Sequence, residues 1–122
     1  MKKLISVIYP ADRVMSYVMT TELEGESLLE VVFGQFNSGS GSEGEVFLNG
    51  RCRSMCVNDI VGVNGEYWQC SFVGWNKVDV EYMNRLEKEV EDHPLYNMVD
   101  GGAWSALNDI MWNRRRKEPK TV

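Results

Sequence analysis

Asn58-Asp59-Ile60-Val61-Gly62-Val63-Asn64-Gly65-Glu66-Tyr67-Trp68-Gln69-Cys70-Ser71-Phe72 is the stretch whose reading decides the fold. Ile60 to Val63 is a short β-branched run. Asn64-Gly65 then gives the strongest two-residue hairpin signal, because both turn positions require positive φ. From Glu66 the chain alternates, setting Trp68, Cys70 and Phe72 on one face and Tyr67, Gln69 and Ser71 on the other. Trp68, Phe72 and Trp75 are expected to supply core area. Residues 73–78 either extend this sheet edge or bend away at Gly74.

Working outward, residues 4–9 are a second apolar run stopped by Pro10, which suits a strand. The spacing of residues 13–21 fits a helical turn or a strand equally. In residues 27–36, Leu28, Leu29, Val31, Val32, Phe33 and Phe36 recur at three- and four-residue steps, with Glu24, Glu26 and Glu30 at or near the start, where anions oppose the helix dipole favourably. Val80, Met83, Leu86 and Val90 form a helical stripe closed by Pro94, and Trp104, Leu107, Ile110 and Met111 form another after Asp100-Gly101-Gly102. The expected fold is therefore α+β. A small antiparallel sheet from residues 4–9, the 45–48 region and the 60–78 hairpin packs against helices at 28–36, 80–90 and 103–114. Residues 37–45 read as a mobile Gly/Ser loop within a single domain spanning 1–113, followed by a basic tail, 114–122.

The 122 residues carry a net charge of −5, which conceals an asymmetry. Five of the thirteen Lys and Arg and one of the eighteen acids fall in 114–122, so the tail carries +4 and residues 1–113 carry −9. An acidic body repels duplex phosphate, so direct DNA binding is not expected. The tail reads first as cations opposing the negative end of a helix dipole. No run approaches the roughly 18 apolar residues of a membrane span. Residues 4–8 are shorter than the about 7–15 of a signal-peptide core, so the expectation is a cytoplasmic protein with no membrane partner.

Chemistry finds little purchase. Cys52, Cys56 and Cys70 lack C-x-x-C spacing, and His93 is the sole histidine, so zinc is not expected and reduced thiols are. Glu43 and Glu45 stand where a phosphate-cradling glycine loop needs a lysine or a helix start. A Cys–His pair oriented by Asp92, Asp100 or Asp109 is matched only because acids are common here, and Glu87, Glu91 and Asp92 read as a solvated helix face. No catalytic residue, metal or cofactor is expected.

Arg53-Ser54-Met55-Cys56-Val57-Asn58-Asp59-Ile60-Val61, the hairpin through Tyr67-Trp68-Gln69-Cys70, and Phe72-Val73-Gly74-Trp75 resemble the small YodL-like proteins and domains of bacteriophages and other mobile elements. Residues 28–37, ending in Phe36-Asn37, resemble the helix that precedes that string. The likeness covers about 50 of the 122 residues. It departs at Cys56, where the family has serine, and at Asn58, often glycine. The resemblance implies a phage or mobile-element origin and carries no catalytic residues. Ser54 and Asp59 are expected to cap turns through nearby backbone amides.

The functional expectation is a non-catalytic accessory protein in the host bacterial cytoplasm. It would bind and inhibit a host or defence protein, in an anti-restriction or anti-CRISPR type of role. Its contact surface would be Glu22, Glu24, Glu26, Glu30, Glu43 and Glu45, carboxylates suited to a basic groove. Two alternatives stand beside it. One is a nucleotide-sequestering binder using Arg51, Arg53, Tyr67 and Trp75. The other is an RNA-contacting small barrel using the basic end, where Trp112 adjoins Arg114-Arg115-Arg116. Self-association is left open.

Overall fold

The computed structural model describes residues 1–117. It holds a five-stranded antiparallel sheet in the order β2-β1-β3-β4-β5, with helices on both faces. The α+β expectation is met. β1 (Lys2–Tyr9) turns through Pro10 and Ala11 into β2 (Arg13–Thr20), and the two pair along their full length, Tyr9 opposite Arg13 and Lys2 opposite Thr20. This pairing resolves residues 13–20 of that stretch as strand. Their spacing is neutral, and the uninterrupted ladder with β1 decides between the two conformations. β3 (Ile60–Val63) and β4 (Glu66–Cys70) form the expected hairpin, with Asn64 at φ 50° and Gly65 at φ 84°. β5 (Trp75–Val78) pairs back onto β4, Cys70 opposite Trp75.

One face of the sheet is covered by α1 (Gly25–Gln35) and α2 (Glu45–Gly50). Ile5, Val7, Tyr9 and Val61 meet Leu28, Leu29, Val32, Phe36 and Phe47 there. The opposite face takes α3 (Val80–Asp92) and α4 (Gly102–Lys117), whose Leu86, Val90, Ala106 and Leu107 pack on Ile60. A 3-10 turn, Pro94–Asn97, joins these last two helices, and Asp79 caps α3 by accepting the Tyr82 amide at 2.7 Å. Because β3 is buried on both sides, its sequence is an unbroken apolar run rather than an alternating one.

Two expectations are corrected. The 45–48 region is helix, not strand. Gly44 opens α2 and accepts the Leu48 amide at 3.0 Å, and Phe47 drives inward to meet Phe36 at a ring separation of 5.9 Å. The sheet positions it would have filled are held by β2 and β5. Phe72 is not core. It lies beyond the end of β4 and is 76% exposed, because the chain turns at Ser71 instead of continuing. Trp68 and Trp75 do pack against the first core, partly buried. Helix α4 carries the first four residues of the expected tail to Lys117, and the Arg114 guanidinium pairs with Glu89 of α3. The rest of the tail, 118–122, lies outside the described residues. The 37–45 loop is fastened to its surroundings: Ser38 N donates to Ser54 Oγ at 2.9 Å, Ser40 Oγ to the Gly34 carbonyl at 2.6 Å, and Gly44 N to the Gln35 carbonyl at 2.9 Å.

The segment between α2 and β3 is organised by one buried ion pair. Asp59, fully buried, accepts both guanidinium nitrogens of Arg53 at 2.6 and 2.8 Å and the Cys56 amide at 2.9 Å. Burial pushes its carboxyl above the ordinary value, and Arg53 and the Cys56 amide pull against that rise. The Arg53 guanidinium also stacks on the Tyr9 ring at 4.5 Å, and Tyr9 Oη donates to the Arg53 carbonyl at 3.0 Å. Removing Arg53 leaves a carboxylate with no cation in a dry site, which typically costs about 3–5 kcal/mol. Arg53→Ala is therefore expected to lower the urea-unfolding free energy by that amount. Asp59→Asn should cost less, since Arg53 is 29% exposed and stays hydrated. A loss below about 1 kcal/mol for Arg53→Ala would show that the pair behaves as a surface one.

Candidate functional site

The β4–β5 connection is a tight turn, Ser71 to Gly74. Ser71 N donates to the Gly74 carbonyl at 2.9 Å and Ser71 Oγ to the Val73 and Gly74 carbonyls at 3.0 Å. Gly74 takes φ 78°, where a side chain would be strained and would also meet the Glu26 carboxylate at 2.8 Å. The turn pushes Phe72 and Val73 outward, and Val73 is 92% exposed. Adjacent apolar side chains this exposed, rimmed by charge, are a feature of contact surfaces.

Glu26 and Glu30 supply that rim from α1. Glu30 accepts the Trp75 indole N–H at 2.9 Å, and the Trp75 ring stands edge-on to Phe33 at 6.2 Å. Beside them lies a notch of about 250 Å³ lined by Glu30, Phe33, Val57, Phe72 and Trp75. The turn, the notch and two carboxylates therefore share one place on the surface.

The other acidic residues are spread around this helix. Glu22 holds the terminal amine at 2.7 Å, and Glu24 precedes α1 with Lys3 Nζ at 4.0 Å. Glu43 and Glu45 sit by the far end of α1, near Gln35, about 16 Å along the axis. Backbone amides of its own loop, its own first among them, hold the Glu43 carboxyl below its usual value. The six residues thus form two groups, and only Glu26 and Glu30 touch the turn. Alternation carried past the end of β4 places Phe72 in the core, and the turn instead puts it on the surface. The signal was present: serine at the first and glycine at the fourth position are turn preferences.

Arg51, Arg53, Tyr67 and Trp75 are not brought together. Tyr67 packs with the α3–α4 core and Trp75 with the α1–α2 core, on opposite faces of the sheet. The Arg53 guanidinium is engaged with Asp59, and Arg51 ends α2 with φ 50°. Both arginines border a cleft of about 480 Å³ that also includes Asp12, Asp100 and Trp104. A polar relay that the sequence does not reveal lies elsewhere, beside a separate cleft. Buried Asn58, at φ 84°, reaches Asn108 on α4 at 3.1 Å, and Gln69 Nε2 donates to the Asn58 carbonyl at 2.9 Å while its Oε1 accepts from Tyr82 at 2.7 Å.

His93 is committed locally: its Nδ1 accepts the Leu95 amide at 3.1 Å and its Nε2 faces Asp109 at 2.8 Å. Among the described residues no group of His, Cys, Asp and Glu is arranged to hold a metal ion. Likewise, no described helix is long and apolar enough to cross a membrane.

The three cysteines are free thiols. Cys56 receives the Trp104 indole N–H at 3.1 Å and Arg53 Nη1 at 3.5 Å, yet burial, its largest influence, together with Asp59 raises it above an ordinary thiol. Burial lifts Cys70 to about 11. Since only the thiolate reacts, Cys70 is expected to alkylate slowest in the folded protein, with a rate that climbs roughly tenfold per pH unit below its pKa. Peptide mapping after timed iodoacetamide labelling checks this, and Cys70 labelling ahead of the other two would contradict it.

Comparison of the chain with protein-family models, with curated proteins and with solved structures yields no match.

Proposed function

We propose that the chain is a non-catalytic accessory protein of a bacteriophage or other mobile element that binds and blocks a host or defence protein in the bacterial cytoplasm. The observation that carries the binding role is the Phe72-Val73 turn, exposed and apolar, framed by Glu26 and Glu30. Aromatic anchors surrounded by polar residues are where binding energy concentrates in protein interfaces. The mobile-element setting comes from the sequence resemblance.

The partner chemistry follows from charge. Residues 1–113 carry −9, and carboxylates around an apolar anchor complement a groove lined with Lys and Arg. Proteins that handle nucleic acid present such grooves to phosphate. A chain that seats an aromatic there and supplies carboxylates competes with the nucleic acid for the same cations.

The test compares partner retention from bacterial lysate by the wild-type chain, Phe72→Ser and Glu26→Lys. Both substituted side chains project from the surface, so folding is expected to persist. Each variant should weaken the same retained partner at least tenfold, about 1.4 kcal/mol, and the wild-type complex should loosen as salt rises. Retention indifferent to both substitutions would overturn the reading.

A further inference from the structure

We infer that the open edge of β2 is a self-association surface, on which a second copy of this chain adds its own β2 antiparallel to form one continuous ten-stranded sheet. β2 is the outer strand of the sheet and eight residues long. Edges of this length are normally blunted by proline, a bulge or charge. Here Val14-Met15-Ser16-Tyr17-Val18-Met19-Thr20 contains none of these, and its pairing with β1 runs without interruption.

Backbone direction sets which groups face the edge. The Thr21 amide donates to the Met1 carbonyl at 2.9 Å, and Asn64 N donates to the Leu4 carbonyl at 2.9 Å. Odd-numbered residues of β1 therefore bond to β2, and even-numbered ones turn toward β3. Across the β1–β2 register odd residues oppose odd, so Val14, Ser16, Val18 and Thr20 aim their amides and carbonyls outward. Those same residues carry the side chains of the sheet face that α3 and α4 leave uncovered at this end. Val14 is 60% and Val18 62% exposed, and Leu4, opposite Val18, is 52% exposed.

The strand is self-complementary about Ser16. A two-fold axis there sets Ser16 opposite Ser16 of the second copy and Val14 opposite Val18, and every such pair is one whose backbone groups face the edge. A two-fold interface requires this property, since the same patch must fit itself. In that register Val18 lies between Leu4 of its own chain and Val14 of the other. The assembly leaves the two Phe72 turns at its far ends, roughly 40 Å apart at about 4.8 Å per strand.

Sedimentation equilibrium of the full chain from micromolar to millimolar concentration reads the association directly. Wild type is expected to shift from one chain mass toward two. Val18→Lys, a substitution at an exposed side chain, is expected to raise the dissociation constant at least tenfold, with a melting temperature unchanged at concentrations where both proteins are monomeric. Register is read by Ser16→Cys. Opposed residues of a hydrogen-bonded pair stand about 5.5 Å apart at Cα, within reach of a short bis-maleimide. That reagent should then give a covalent dimer that wild type and Val14→Cys do not form. A single-chain mass at all concentrations, a dimer indifferent to Val18→Lys, or failure of Ser16→Cys to cross-link beyond wild type would each overturn the proposal.

Discussion

The buried pair between Arg53 and Asp59 is the constraint on which the rest of the molecule depends. The nine residues between α2 and β3 form no regular structure, yet they must cross from one face of the sheet to its centre. Asp59 anchors that crossing by collecting the Arg53 fork and the Cys56 amide, while its own carbonyl accepts the Cys70 amide at 2.8 Å. The same residue thus closes the loop with its carboxylate and, with its backbone carbonyl, fixes where β3 begins against β4. Arg53 passes the constraint on by stacking over Tyr9 at the end of β1. Each group is expensive to bury alone, and the geometry is what makes the pair tolerable.

A sheet covered on both faces follows from that crossing. With α1 and α2 on one side and α3 and α4 on the other, the central strands are buried twice and the two edge strands are buried once or less. Surface character is therefore concentrated at the edges. β5 follows the Phe72-Val73 turn, which lies beside the acidic residues of α1. β2 offers an uncovered apolar strip and open backbone groups. The two surfaces stand at opposite ends of the sheet, so the proposed partner contact and the proposed self-contact do not compete for space. A paired sheet would present two turns, and two linked contacts bind more tightly than either alone when their spacing fits.

The acidic body gains meaning from this placement. Net charge alone describes solubility and steering, not a site. Two carboxylates beside an exposed aromatic describe a place where steering and anchoring coincide. Glu43 and Glu45 lie beyond it, at the other end of α1. The first arginine of the basic end folds back onto Glu89, which neutralises part of the α3 acid locally.

Local chemistry in the sequence determined the β3–β4 hairpin, the three longer helices and the α+β class. Asn64-Gly65 demands positive φ, and a 3.6-residue apolar stripe has no other stable use. Cys56 with Trp104, Asn58 with Asn108 and Gln69 with Tyr82 could not be connected from sequence, because each contact joins residues brought together only by the packing of α3 and α4 on the sheet. Residues 13–20 became a strand because β1 offered a full ladder, and residues 45–50 became a helix that turns Phe47 inward onto Phe36. Phe72 moved from core to surface for a local reason that only the completed β4–β5 pairing enforced: the turn at Gly74 ends the alternation two residues early. Propensity and period act within a few residues and so are legible along the chain. Which edge is open, which face is covered and which buried charge finds its partner depend on contacts between distant segments, and tertiary structure alone decided those.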